Sequence, residues 1–355
     1  MHITHIITNR RTMIKRFTLI VFVFAFALVA KAQQDPYYTH FMLNKIAFNP
    51  GSAGYKDAIC ANVLAHRQWT GYKDQSLEYI TPTGQSLQRR SVGPQTYFGT
   101  VTAPVKMLKG GVGLVFMSDA VGYERTINVK VSYAYHHQFR NYSRLQVGLD
   151  AGMLQKEFDG SYYNPHDPND PLIPTGVTSG RKFDLGLGAY YNNPNWANFE
   201  LGVSATHITG GSVSYSVGAG GTRTVGIVPN IYVVASTSHP IMGGGVILQP
   251  NIWVKTIFAT TQVDLNCRAL INQIYVAGLS YRDGGRSTLL DAFALQFGYY
   301  VKQNFYLGYS YDIPITRGLA GGGTHEIFAS YCFNISPPPP SAPKWRIDPR
   351  HLGGY

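Results

Sequence analysis

The sequence predicts an all-β fold: a transmembrane outer-membrane β-barrel of about fourteen antiparallel strands, with a short N-terminal periplasmic segment before it and a Pro-rich tail after it. Three observations carry that prediction. Apolar residues alternate with polar ones at period two over segments of about ten residues, again and again along the chain. Charged residues make up 14% of the 355 positions, against about 25% in a soluble globular chain. The connections between the alternating segments are by turns short and long, the known asymmetry of outer-membrane barrels.

Residues 1–32 read as an export signal. Arg10, Arg11, Lys15 and Arg16 precede the apolar run Phe17 to Val29, and the small-residue site Ala30-Lys31-Ala32 follows it, so cleavage is expected before Gln33. The apolar run, about 13 residues, falls short of the roughly 20 that a membrane-spanning helix needs. The signal also revises the charge. The whole chain has 30 Lys+Arg against 19 Asp+Glu, or +11, but without the five basic residues of the signal the balance is 25 against 19, or +6. So modest an excess, behind a secretory signal, argues against nucleic acid as a partner. Cys60, Cys267 and Cys332 stand far apart and make neither a disulfide scaffold nor a metal-ligand spacing.

In chain order the candidate strands fall near 58–69, 96–105, 110–118, 124–139, 142–158, 182–192, 197–208, 226–239, 244–258, 261–270, 273–282, 289–301, 303–311 and 324–334. The fourth is the plainest: Ile127, Val129, Val131, Tyr133 and Tyr135 lie on one face, and Asn128, Lys130, Ser132, Ala134 and His136 on the other. The fifth sets Leu145, Val147, Leu149, Ala151 and Met153 against Gln146, Gly148, Asp150 and Gly152. The sixth sets Phe183, Leu185, Leu187, Ala189 and Tyr191 against Asp184, Gly186, Gly188 and Tyr190. The seventh and thirteenth repeat the pattern from Phe199 and from Phe305. A soluble sandwich would fill its polar face with Lys, Glu and Thr. Here that face is mostly Gly, Ser, Asn and single charges, which suits a crowded or hydrated interior, while the Leu, Val, Phe and Tyr faces are expected to meet lipid. Only a closed barrel lets strands cross a bilayer without leaving backbone groups unpaired in hydrocarbon.

Short connections follow even-numbered candidates, at Arg140-Asn141, Asn193-Pro194-Asn195, His239-Pro240 and Lys302. Long ones follow odd-numbered candidates, at 70–95, 159–181, 209–225 and 312–323. Short turns belong on the periplasmic side, so both chain ends are expected there. The N-terminal stretch 33–57 is expected to form a plug or rim on that side. Asn49-Pro50 stops any helix begun between Phe41 and Phe48, because proline biases its predecessor to extended conformations. Gly51 and Gly54 permit a tight turn into the first strand. Trp69, at the outer end of that strand beside Arg67, is expected at the lipid interface.

Beyond the last strand the chain runs through Ser336-Pro337-Pro338-Pro339-Pro340-Ser341-Ala342-Pro343. Consecutive prolines form a rod of about 3.1 Å per residue, which would carry Trp345, Arg346, Ile347, Arg350 and Leu352 away from the membrane. Aromatic, aliphatic and Arg anchors behind a rigid spacer have the form of a short docking motif.

Several stretches resemble the PorP/SprF family. They are Gln34-Asp35-Pro36-Tyr37-Tyr38-Thr39-His40-Phe41-Met42-Leu43-Asn44, then Asn49-Pro50-Gly51-Ser52-Ala53-Gly54, then Arg67-Gln68-Trp69. The likeness continues through Tyr97-Phe98-Gly99, Gly110 to Leu114, Asp119 to Gly122, Gln155 to Phe158 and His325 to Phe328. The resemblance implies an outer-membrane component of the type IX secretion system and its associated gliding machinery. It further implies a non-enzymatic barrel whose partners are secreted cargo, such as an adhesin with a C-terminal targeting domain, and periplasmic components of the same machine. Asn49, Pro50, Gly54, Arg67 and Trp69, with the tail residues above, are the candidate partner contacts.

The residues themselves suggest no catalytic, cofactor or metal site. His136 and His137 are neighbours on a strand and point to opposite faces, and the glycine runs at 243–245 and 321–323 precede no helix that could hold a phosphate. The inward charges Lys130, Asp150, Asp184, Glu200, Lys255, Asp291 and Glu326 are expected to pair across the interior and hold plug segments, because an unpaired buried charge is costly. The alternative is a diffusion channel or small-molecule transporter, in which Gly148, Gly186, Gly188 and Gly202 would keep the lumen open.

Overall fold

Because the side-chain period of a strand is two, each alternating segment can satisfy its backbone sideways while sending one face to lipid and one inward. The computed structural model describes residues 35–71, 93–160, 176–217, 221–257, 259–284, 292–315 and 322–334. Its strands are β1 (Ala58–Arg67), β2 (Gln95–Val105), β3 (Gly110–Val121), β4 (Glu124–Gln138), β5 (Arg144–Asp159), β6 (Val177–Asn193), β7 (Phe199–Thr206), β8 (Ser212–Val217) and β9 (Gly221–Gly226). They continue as β10 (Asn230–Ser236), β11 (His239–Ile241), β12 (Val246–Thr256), β13 (Thr261–Ile271), β14 (Tyr275–Asp283), β15 (Ala292–Lys302), β16 (Phe305–Pro314) and β17 (Thr324–Asn334). Fourteen of them form one antiparallel ring, in which β1 pairs with β17 and the order β7, β10, β12 completes the circuit. The short β11 pairs with the start of β12, and β8 and β9 form a separate hairpin.

All fourteen expected strands are present, with ends displaced by up to five residues. The largest displacement is in β6, which begins at Val177: its first residues keep pairing with β5 through Gln155↔Arg181 and Asp159↔Val177, beyond the stretch that alternates plainly. The β8–β9 hairpin falls in the expected loop 209–225 and runs one residue past it, to Gly226. Among the described side chains of β8 only Val213 and Tyr215 are both apolar and buried, and Tyr215 stacks on Phe158 of β5 at 6.5 Å, so a distant contact fixes strands too short for periodicity to reveal.

On the outer surface Val129, Val131, Tyr133 and Tyr135 of β4 are exposed, as are Val147 and Leu149 of β5 and Phe293, Leu295 and Phe297 of β15. An apolar band of this kind is what bilayer hydrocarbon requires. The inner surface is polar yet shielded: Gln146, Gln296 and Glu326 are each 2% exposed or less. What shields it is the N-terminal segment. Residues 35–57 lie inside the barrel in three single 3₁₀ turns, Phe41–Leu43, Lys45–Ala47 and Pro50–Ser52. Their aromatic side chains make a core within the lumen, where Phe41 and Phe48 each pack 5.1 Å from Trp253 and Tyr38 packs 5.0 Å from Phe98.

The segment does not stop at one rim. Asp35 meets His207, Tyr232 and Lys255 at the end of the barrel that carries the long loops, whereas Asp57 pairs with Arg144 at the short-turn end. It therefore runs the length of the lumen before β1 begins. The cysteines also need correcting. Cys60 and Cys332, 272 residues apart, are direct partners in the β1–β17 register and form a disulfide. Spacing along the chain could not show this, because barrel closure alone makes the first and last strands neighbours.

Candidate functional site

The interface between the stopper segment and the lumen wall is the most heavily built polar site among the described residues, and it has three tiers. At the short-turn end the Asn49-Pro50-Gly51 turn presses on the wall. Asn49 Oδ1 accepts the Gly51 N–H at 2.9 Å, and its Nδ2 donates to the Ala189 carbonyl at 3.1 Å. The wall opposite is glycine for reasons of space: a Cβ on Gly148 would lie 2.5 Å from the Pro50 carbonyl, and one on Gly188 would overlap Asn49 Oδ1. Of the glycines that could have kept a channel open, Gly148, Gly188 and Gly202 are thus filled by the turn, and Gly186 by the Asp150 side chain. Lys45 pairs with Glu200 and donates to Tyr190 Oη at 2.7 Å.

In the second tier, whose wall residues also lie within four positions of the long-loop ends of their strands, Glu326 of β17 acts as a clamp. Its two oxygens accept the backbone N–H groups of Thr39 and His40, both at 2.8 Å. The Nδ1 atoms of His40 and His66 lie 2.6 and 2.7 Å away. Beside it Arg282 donates to Asp264 at 2.6 Å and Asp312 at 2.8 Å, and its guanidinium stands 4.1 Å from the Tyr37 ring centroid. Asp312 also accepts from the Thr39 hydroxyl at 3.0 Å. Gln296 donates to the Thr39 carbonyl at 2.9 Å.

At the long-loop end His207 lies 2.8 Å from both Asp35 and Asp184. Tyr232 donates its hydroxyl to Asp35, and Lys255 donates to the Asp35 carbonyl at 2.6 Å. Burial alone would raise the Asp35 carboxyl, but the His207 imidazolium beside it and the hydrogen bonds from His207 and Tyr232 outweigh burial and hold it well below the usual carboxylate range. Burial likewise opposes the charge on His207, yet Asp35 and Asp184 raise it to about 9.

The inward charges read from the sequence divide accordingly. Glu200, Glu326 and Lys255 hold the stopper directly, Asp184 does so through His207, and Lys130 pairs with Asp150 at 3.5 Å within the wall. Asp291 lies outside the described residues. Of the candidate partner contacts, Asn49, Pro50 and Gly54 are buried against the wall, Gly54 with φ +67° over Gly111, so their contacts are internal to the barrel. Arg67 is exposed at the long-loop end of β1, and the Trp69 N–H donates to Thr324 Oγ1 at 3.3 Å. Trp345, Arg346, Ile347, Arg350 and Leu352 fall outside the described residues. The sequence reading missed Arg282, Asp264, Asp312 and the paired roles of His40 and His66. Their alternation placed the strand residues inward, but nothing local showed that the N-terminal segment would come to meet them.

No curated protein matches the chain. Among solved structures, the toluene transporter TodX of Pseudomonas putida aligns at 10% identity over 87% of this chain and 97% of its own, with a TM-score of 0.46. The Pseudomonas aeruginosa FadL homologue aligns at 11% identity over 81% and 93%, with a TM-score of 0.42. Omp33 of Acinetobacter baumannii aligns at 10% identity over 78% and 99%, with a TM-score of 0.41. Residues 30–331, nearly all of the barrel together with its stopper segment, match the profile of the type IX secretion system membrane protein PorP/SprF, and the chain therefore belongs to the PorP/SprF family of integral outer-membrane proteins.

Proposed function

We propose that the protein is a stoppered, non-enzymatic scaffold of type IX secretion, which anchors secreted surface cargo and joins it to periplasmic components of the machine. The observation that carries this reading is the lumen occupied along its length, save for a cavity at the short-turn mouth, by residues 35–57, held by Glu200, Glu326, Asp312 and His207. A barrel so filled has its rims and loops left as working surfaces. In this reading the long loops face outward and take cargo such as an adhesin with a C-terminal targeting domain. The short-turn end faces the periplasm, where the chain that leaves β17 at Asn334 brings the tail anchors Trp345, Arg346 and Leu352 to the machine.

Two measurements test it. Purified protein in a planar bilayer is expected to show no steady conductance, whereas a large one would favour the transporter reading. Affinity purification from the native envelope is expected to bring down secretion components and a surface protein, and deletion of residues 336–355 is expected to remove the periplasmic ones. Recovery of the same partners without the tail would rule out its docking role.

A further inference from the structure

The short-turn mouth of the lumen is not filled like the rest. A cavity of about 330 Å³ opens there, lined by Leu43, Lys56, Tyr300, Tyr306, Ser330 and Cys332 among others. Elsewhere in the lumen the cations are matched: Lys130 by Asp150, Arg282 by Asp264 and Asp312, Lys255 by the Asp35 carbonyl. At this mouth Lys45 is matched by Glu200 and Arg144 by Asp57, but Arg268 and Lys56 have no ion-pair partner among the described residues. Arg268 is 3% exposed, and its Nε has no hydrogen-bond partner among the described residues. Its guanidinium stands 5.8 Å from the ring centroid of Tyr306, which lines the cavity. Its stem runs past Gly278, where an added Cβ would lie 3.1 Å from the Arg268 Cγ. Lys56 is exposed and lies 5.8 Å from the ring centroid of Tyr55. Arg268 and Lys45 are both close enough to repel it. Glu200 is the carboxylate nearby, and Lys45 and Ser236 already occupy it.

Lys56 and Arg268 thus stand at the mouth with no carboxylate of their own among the described residues, since Glu200 is engaged by Lys45 and Asp57 by Arg144. A buried guanidinium without a counter-charge is costly, and the wall supplies no acid to Arg268 among the described residues. We propose that this mouth is a binding site for a carboxylate side chain on an acidic peptide segment of a periplasmic partner. Lys56 and Arg268 supply the positive charge, and Tyr300, Tyr306 and Leu43 supply the walls. A guanidinium and an ammonium recognise carboxylates through charge-assisted hydrogen bonds. The small volume admits one or two side chains rather than a domain, so the partner must insert an extended end or loop. The inference rests on the proposed orientation, since it gives chemistry to the end assigned to the periplasm.

The test uses the full chain in detergent and a fluorescein-labelled hexaglutamate peptide, with hexaglutamine and inorganic phosphate as comparisons. Hexaglutamate is expected to bind at least about tenfold more tightly than hexaglutamine, a factor equivalent to about 1.4 kcal/mol. Lys56→Gln and Arg268→Gln are each expected to weaken it about tenfold, while Lys109→Gln, on a turn at the same end but outside the cavity, leaves it unchanged. Since Arg268→Gln alters a buried site, the exposed Lys56→Gln decides the matter if that barrel fails to fold. Equal binding of hexaglutamine, equal loss in Lys109→Gln, or no loss in Lys56→Gln overturns the site. Displacement of the peptide by phosphate at the same concentration overturns the peptide assignment in favour of a small anion. None of these outcomes depends on conductance or co-purification, so the scaffold reading can fail while the site stands, and the reverse.

Discussion

Gly148 shows how much of the stopper's fit depends on the absence of a single carbon. Its sequence context marks it only as an inward position of β5, compatible with an empty or a filled lumen, and the approach of Pro50 decides which. Gly148→Ala forces the turn or the strand to move, and overpacking of this kind costs about 1–3 kcal/mol. It is expected to lower the temperature at which the folded barrel is lost on a semi-native gel, while Gly99→Ala, with open space around its Cβ, leaves that temperature unchanged. His207 provides a second test at this scale. Its folded-state value is raised from the ordinary 6.5 to about 9, so its contribution to stability is fully present below about pH 6.5 and is lost as the pH rises through about 9. Asp35, whose value is depressed, contributes above the ordinary carboxylate range and loses that contribution only in acid. The melting temperature of the wild-type barrel is therefore expected to fall between pH 7 and pH 10 by more than that of His207→Gln, and parallel pH profiles would remove His207 from this role.

Among the elements, β17 carries the most consequence, because it both closes the ring on β1 and presents Glu326 to the stopper. Its inward face was legible: alternation through His325, Glu326 and Ile327 sets the carboxylate toward the lumen. The partners of Glu326 were not, since His40 and Thr39 are almost three hundred positions away in the chain. Removing one member of a buried charged cluster costs about 3–5 kcal/mol, because the groups left behind stay desolvated. Glu326→Ala is therefore expected to make the bonds of the stopper segment sensitive to added protease in the otherwise intact barrel, and unchanged resistance would show that the clamp is dispensable. The strands as a class were readable because each makes its own period-two pattern. The β8–β9 hairpin was not, because its stability comes from contact with Phe158 on β5.

For the molecule as a whole, the distribution of polar groups decides between a conduit and a stopper. An open lumen would leave Gln146, Gln296 and Glu326 to water, but the N-terminal segment buries them beneath an aromatic core centred on Trp253. Deleting residues 35–53, which keeps β1 and its register, is expected to convert a silent barrel into one with steady conductance. A silent deletion variant would show that the lumen is closed by something other than this segment. The sequence by itself determined the class, the fourteen strands, the lipid-facing and inward sides, and the family, because alternation and the Asn49 to Trp69 motifs are local and survive without partners. Only the tertiary structure decided that the glycines are filled rather than open, that Cys60 meets Cys332, that the N-terminal segment reaches the long-loop end, and that Arg268 has no counter-charge among the described residues. Each of these depends on which strands close the ring and on what the ring encloses, and no local periodicity encodes either.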